Sequence, residues 1–341
     1  MPANPDPAHR RVARGDRVGL LGLGAYVPQR VMENAEWADY VDTSDEWITQ
    51  RTGIKRRHIA APDESTVDLA AAAARRALAD AGIGPAEVDE IIVATDTPEV
   101  YLPDTASFVQ HRLGTRHVPA YDLGGSGCAG FLQALDVACS RVRSGRERVL
   151  VVGVEVLTRL MNWQDRNTCV LFGDAAGAAV VGRGPEAREV LAAVAGTDGS
   201  RWDILTLETG GTRLPFSLEG ARQDLHHRIV MKGREVFKEA VSRMSEAARE
   251  VLAKAGRQMA EVSLVIPHQA NLRIIEAVGK ALGVAPERVF VNVQDYGNTG
   301  SASVPLALTQ ARDGGRIAPG DLVLLTSFGA GFHWAAALVE F

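Results

Sequence analysis

The chain alternates short, wholly apolar runs with amphipathic stretches, and it does so twice, which restricts the fold more than any other feature. In the first part the runs are Val18 to Leu23, Ile91 to Ala94, Val149 to Val154 and Ala178 to Val181. Runs of this length without polar alternation read as strands buried on both faces, the pattern of a sheet covered by helices. Between them, Thr66 to Ala81 is an Ala-rich helix that stops at Gly82. Phe131 to Arg143 repeats apolar residues at Phe131, Leu135, Ala138 and Val142, the spacing of a helix packed by one face.

The second part repeats this order. Val190 to Val194 is followed by a helix over 235–255, a strand over Leu264 to Ile266, a helix over 272–282, a strand over Val289 to Val293, and strands over Leu322 to Thr326 and Ala335 to Val339. In each part a strand feeds a loop and then a helix, at Tyr121 to Cys128 and at Leu264 to His268 and Val291 to Asn298. Two copies of one motif would bring these loops to a common centre. The expected division is a flexible lead-in over 1–16, a first half over 17–184 and a second over 185–341. Gly182 to Arg228 holds the excursions, and its stretch Gly196 to Glu219, mixed in Gly, Thr, Asp and Pro, reads as a flap over a pocket.

With 341 residues and 46% hydrophobic content the chain buries a full core, and its net charge of -5 gives no basic field to recruit nucleic acid or an anionic membrane. No stretch approaches the roughly 18 apolar residues of a membrane span, and Met1 to Asp16 lacks the apolar core of a signal peptide. The three cysteines, Cys128, Cys139 and Cys169, show neither ligand spacing nor the even count of a disulfide framework. A reducing, cytoplasmic setting without a metal site is expected.

The chemistry concentrates at Cys128, in Gly124-Gly125-Ser126-Gly127-Cys128-Ala129-Gly130. Small residues before it and a helix after it describe a tight strand-to-helix turn that presents the side chain, as in a nucleophile elbow. A helix start carries about half a unit of positive charge and free N–H groups, so it is expected to favour thiolate and to bind a developing oxyanion. Cys139 and Cys169 read as core. His268, in Pro267-His268-Gln269-Ala270-Asn271, ends an apolar strand, and Asn298, in Tyr296-Gly297-Asn298-Thr299, occupies a comparable loop. A His and an Asn donating to one oxygen would stabilise the enolate of a thioester that loses carbon dioxide. The remaining histidines, including His9, His226 and His227, read as structural, with His333 left open.

Taken together these segments resemble β-ketoacyl-acyl-carrier-protein synthase III, which starts type II fatty acid synthesis. The resemblance runs from about Val18 to Phe341. It includes Thr43-Ser44-Asp45-Glu46-Trp47-Ile48 with Arg51-Thr52-Gly53-Ile54, Cys128-Ala129-Gly130-Phe131, Phe172-Gly173-Asp174, the His268 and Asn298 segments, and Ser327-Phe328-Gly329. It implies a thiolase-like fold, a five-layered αβαβα sandwich of two duplicated halves, and a homodimer. It implies that Cys128 takes an acyl group from acyl-CoA and passes it to malonyl-acyl-carrier protein after decarboxylation, with no permanently bound cofactor.

By the same matching Phe328 shields the site and Ala330 supplies the second oxyanion donor. Trp47, Arg51 and Arg166 hold the adenine end of CoA, and Asn271 touches its pantetheine arm. Leu102 lines the acyl pocket from the partner subunit, in place of a larger Phe in some relatives. Lys238, Arg273 and Lys280, with Arg234 near the channel where an Asn is usual, form a basic face for the acidic carrier. Gly127 and Gly300 stand where Ala and Ser are common. A secondary-metabolism acyltransferase or polyketide-priming relative would share every one of these motifs, and an inactive partner subunit would share the fold.

Overall fold

The computed structural model describes residues 17–222 and 229–341, so the expected lead-in over 1–16 and His226 and His227 lie outside the described residues. Nine strands form the main sheet: β1 (Val18–Tyr26), β4 (Glu90–Ala94), β5 (Ala120–Leu123), β6 (Arg148–Val156), β7 (Asp174–Arg183), β8 (Arg188–Thr197), β11 (Leu264–Pro267), β12 (Leu322–Gly329) and β13 (His333–Glu340). Two-stranded ribbons are made by β2 (Arg30–Glu33) with β3 (Arg56–Ile59), and by β9 (Leu205–Leu207) with β10 (Ile229–Met231). The main order is β11-β12-β13-β8-β1-β7-β6-β4-β5.

Read outward from its centre, the sheet repeats itself. β1 pairs antiparallel with β7, β7 with β6, and β6 runs parallel to β4. On the other side β8 pairs antiparallel with β13, β13 with β12, and β12 runs parallel to β11. The parallel partner of β4 is β5, and at the corresponding place β11 makes a single parallel bridge, Val265 to Val289.

Because successive strand residues point to opposite faces, each strand feeds two cores. Val149 and Val151 of β6 and Val323 and Leu325 of β12 face a central layer built on α4 (Gly130–Arg143) and α9 (Ser303–Asp313). Leu150, Val152 and Val154 face an outer layer with α2 (Thr66–Asp80) and α3 (Thr105–Leu113). Leu322 and Leu324 face the opposite outer layer with α6 (Gly233–Ala255) and α7 (Leu272–Leu282). Helix, sheet, helix, sheet, helix is the five-layered thiolase-like sandwich. Three shorter helices, α1 (Asp45–Thr52), α5 (Leu218–Arg222) and α8 (Val293–Tyr296), lie in the connections.

One expected strand is absent. Over 289–293 the chain makes only the Val265 bridge before it turns into α8. The buried side chain of Gln269 occupies the backbone there. Its Oε1 accepts from Asn292 N at 2.9 Å and Val293 N at 3.3 Å, and its Nε2 donates to Phe290 O at 3.1 Å and Pro267 O at 2.8 Å. An amide that satisfies both polarities replaces a neighbouring strand.

Candidate active site

The parallel strands β4, β5 and β6 of one half and β11 and β12 of the other end around one cavity of about 560 Å³. Carboxyl ends of strands are where α/β sheets leave room for ligands, and both halves contribute here. The segment expected as a flap lines it too, through Trp202, Leu205, Thr206 and Leu207, joined by Ile229, Met231 and Phe237.

Cys128 sits in a short turn that opens α4. The loop before it depends on Gly127, whose φ of 52° is left-handed and whose missing Cβ would lie 2.5 Å from Ala330 N. That contact explains why the position holds Gly rather than Ala, and it brings the amides of Cys128 and Ala330 close together. Phe328 is buried beside them and packs on Phe332 at 4.7 Å between ring centres.

Cys128 Sγ lies 3.9 Å from Asn298 Oδ1, which also accepts from Gly300 N at 2.9 Å. With Oδ1 so held, the Asn298 amide nitrogen is the group left to donate into the cavity. His268 follows β11, and its N–H donates to Thr326 O at 2.8 Å. Its Nδ1 is 3.0 Å from Ser303 Oγ, which accepts from Gln269 N at 2.8 Å. A Ser303 proton given to Nδ1 would leave the imidazole proton on Nε2. Burial pushes the His268 pKa down to about 3, so the ring is neutral at neutral pH and acts as a donor without charge.

The expectation of a ready thiolate is corrected. Burial pushes the Cys128 thiol well above its ordinary value, and the negative charge of Asp96 pushes it further. The helix start is present, but loss of solvent and the nearby Asp96 carboxylate outweigh about half a unit of charge. Cys128 rests as a thiol.

At the cavity mouth Trp47 of α1 lies between two guanidinium groups, with Arg51 4.5 Å and Arg166 4.9 Å from its ring centre. Arg166 also donates to Asp42 O at 2.6 Å. Asn271 lines the cavity, but both ends of its amide are occupied. Oδ1 caps α7 through Arg273 N at 2.9 Å, and Nδ2 donates to Arg51 O at 3.2 Å. Leu102 is 87% exposed and does not line the cavity of its own chain.

Arg234 and Lys238 are exposed on α6, and Arg273 and Lys280 on α7, which packs beside it. Arg201 takes Glu235 at 3.0 Å and Glu239 at 3.6 Å, which leaves Arg234 and Lys238 without an ion-pair partner among the described residues. Arg273 donates to Gln50 O at 2.7 Å and so ties α7 to α1. Among the described residues no set of His, Cys and carboxylates is grouped to hold a metal ion. Of the motif Phe172-Gly173-Asp174, Phe172 lines the cavity while Asp174 is structural, accepting from Ala60 N and from the Thr158 amide and hydroxyl.

Asp96, Glu155 and Ser303 escaped the sequence reading. A signal existed for two of them. Asp96 follows an apolar strand as His268 does, and Glu155 is the single acid inside a run that is otherwise apolar.

Two family models match the chain, one described as 3-oxoacyl-[acyl-carrier-protein (ACP)] synthase III over residues 121–199 and one as its C-terminal part over 252–341. A β-ketoacyl-[acyl-carrier-protein] synthase III of Symbiobacterium thermophilum is 49% identical over 320 residues, covering 94% of this chain and 96% of that one. Among solved structures, the 3-oxoacyl-[acyl-carrier-protein] synthase III of Aquifex aeolicus VF5 superposes with a TM-score of 0.87 at 46% identity, covering 95% of this chain and 100% of that one. The priming β-ketosynthase of the R1128 polyketide pathway does so at 0.87 and 38% identity, covering 98% and 99%.

Proposed function

Because the chain belongs to the 3-oxoacyl-[acyl-carrier-protein] synthase III family, we propose that Cys128 carries an acyl primer as a thioester on its way to malonyl-acyl-carrier protein. The chain is an acyltransferase-type condensing enzyme that joins an acyl-CoA primer to malonyl-acyl-carrier protein to initiate a fatty acid. The observation that carries the residue assignment is the meeting of Cys128, His268 and Asn298 in one cavity, two of them 3.9 Å apart.

In the first step Cys128 sulfur bonds to the acyl carbon, the bond from that carbon to CoA sulfur breaks, and CoA leaves as a thiol with the Cys128 proton. The amides of Cys128 and Ala330 hold the transient oxyanion. Since Cys128 rests as a thiol, its proton leaves as the bond forms rather than beforehand.

In the second step malonyl-carrier thioester loses carbon dioxide, and the released electron pair moves onto the thioester oxygen. His268 Nε2–H and the Asn298 amide donate to that enolate. Its carbon then attacks the acyl carbon, the bond to Cys128 breaks with its electron pair on sulfur, 3-oxoacyl-carrier protein leaves, and a proton taken up from solvent restores the Cys128 thiol. A neutral imidazole suits this role, because a charged one would hold the enolate too firmly for attack and would donate its proton to it. No step calls for a resident cofactor.

Trp47, Arg51 and Arg166 fit the adenine and phosphates of CoA, an aromatic face flanked by cations. Asn271 reaches the pantetheine arm while it caps α7. Arg234, Lys238, Arg273 and Lys280 form the basic face for the carrier protein, and Phe328 shields the site. The reading includes a homodimer, in which exposed Leu102 enters the partner's acyl pocket, and a reducing cytoplasm, which suits three unpaired cysteines. Among the described residues no helix is long and apolar enough to cross a membrane.

Intact-mass analysis after incubation with a panel of acyl-CoAs tests the assignment. An adduct on the wild type that is lost in Cys128→Ser is expected, and malonyl-carrier protein should discharge it as 3-oxoacyl product. An adduct that forms at the same rate on Cys128→Ser overturns it.

A further inference from the structure

Two carboxyl groups that this reaction leaves unused line the cavity next to Cys128: Asp96, just past β4, and Glu155, near the end of β6. Asp96 Oδ1 accepts from Gly125 N at 2.9 Å, and Gly127 N donates to the same carboxyl group. Both amides belong to the loop that presents Cys128. Glu155 has no exposed surface. Its Oε2 accepts from Thr97 Oγ1 at 2.8 Å, and Asp96 N reaches both of its oxygens at 3.2 Å. Its Oε1 lies 2.8 Å from Ser301 Oγ, in the turn that follows Asn298. A Cβ on Gly300, φ 55°, would fall 2.6 Å from Glu155 Cγ, so the loop fits this acid only with Gly at that position.

Counting protons assigns the charges. Ser301 Oγ has one proton and three oxygens within reach, Glu155 Oε1, Ala94 O at 2.9 Å and Val154 O at 3.5 Å. The carbonyls only accept, so with the Ser301 proton given to Ala94 O the short contact to Glu155 is made by a proton on Glu155. Thr97 Oγ1 accepts from Val156 N at 2.9 Å and gives its proton to Oε2. Burial raises the Asp96 pKa too, but its two backbone donors favour the charged form, and on that ground Asp96 is taken as the charged member of the pair.

We propose that Asp96 and Glu155 are positioning residues that tie the Cys128 loop to the Asn298 loop: Asp96 holds the amides of Gly125 and Gly127, and neutral Glu155 donates to Ser301. The proposal rests on the reading of Cys128 and Asn298 as working partners. The pair keeps nucleophile and amide in register, as closely placed catalytic groups require.

Burial, and next the charge of Asp96, push the Glu155 pKa up to about 8. Above that value the acid ionises, the donation to Ser301 is lost, and two charges face each other beside the thiol. The other titratable groups that face the pair are Cys128 and, from β13, His333. His333 Nδ1 bonds Thr197 Oγ1 at 2.8 Å, and burial lowers its pKa, so it adds no compensating charge.

The test is the pH dependence of acyl loading and of 3-oxoacyl product formation in wild type, Glu155→Gln and Ser301→Ala. The wild-type rates should bend downward above about pH 8. Glutamine keeps an N–H for Ser301 and a carbonyl for Thr97 but cannot ionise, so its profile should continue without the bend. Ser301→Ala removes the acceptor of the Glu155 proton and should form product several-fold more slowly at neutral pH. If a variant does not fold, infrared spectroscopy of the wild type decides, since a carboxylic-acid carbonyl band should be present at neutral pH and titrate away near pH 8. Retention of the wild-type bend in Glu155→Gln, or absence of the infrared band, overturns the proposal. Wild type that makes no 3-oxoacyl product at any pH overturns instead the functional reading beneath it.

Discussion

Replacing Ser303 with Ala isolates the control of the His268 tautomer. The hydroxyl accepts from Gln269 N and donates to His268 Nδ1, and Ala does neither. The orphaned, buried Gln269 N–H costs about 1–3 kcal/mol of stability. For a chain of this length that lowers Tm by roughly 1–4 °C. The catalytic loss is of a different kind. A single oxyanion donor is worth about 10²–10³ in rate when it is removed outright. In Ser303→Ala the imidazole remains and only its preference for the Nε2–H form weakens, so about 1.4 kcal/mol, a tenfold loss, is expected. The loss should fall on decarboxylation of malonyl-carrier protein, measured as carbon dioxide release, and should spare acyl loading of Cys128, measured by intact mass.

It should also be independent of pH across the neutral range. Burial holds His268 neutral down to about pH 3, so lowering pH from neutral does not protonate it until the acid extreme. Wild-type decarboxylation in Ser303→Ala would refute the tautomer argument. An equal loss in loading would show that His268 works on the thiol instead. An acid limb near pH 6.5 that disappears in His268→Gln would show that the ring titrates at its ordinary value.

Three further outcomes follow from the geometry. Trp47→Ala removes the ring on which Arg51 and Arg166 stack, and at about 0.5–1 kcal/mol per cation contact KM for acyl-CoA should rise roughly 5- to 30-fold, with KM for malonyl-carrier protein unchanged in steady-state assays. Reversing Lys238 and Arg273 to Glu should raise the apparent KM for the carrier substrate and spare acyl-CoA loading, and unchanged carrier kinetics would sink the docking face. Gly127→Ala forces a Cβ to within 2.5 Å of Ala330 N at φ 52°, so it should slow loading at least tenfold and lower Tm, whereas wild-type loading would mean the loop can move aside.

Strand segments such as Val149 to Val154 and Leu322 to Thr326 were legible in the sequence because burial on both faces leaves a continuous apolar run. Cys128 was legible for a local reason as well, since glycines before a helix start describe its turn without reference to the rest of the chain. His268 and Asn298 were found by resemblance and by their position at strand ends. Val289 to Val293 was misread because its backbone is taken over by Gln269, a contact made across about twenty residues of chain.

The state of the thiol divides the two kinds of information most clearly. The helix start that favours thiolate is local and visible in Gly127 to Phe131. The burial and the Asp96 carboxylate that overturn it come from elements such as β4 and β6, which are far apart in sequence and adjacent only in the sheet. Sequence alone thus determined the layered fold and singled out the proposed nucleophile and its proposed partners, because periodicity and turn chemistry are short-range. Which protons those groups carry, on Cys128, on Nε2 of His268 and on Glu155, was decided only by the tertiary structure, because desolvation and charge act through space.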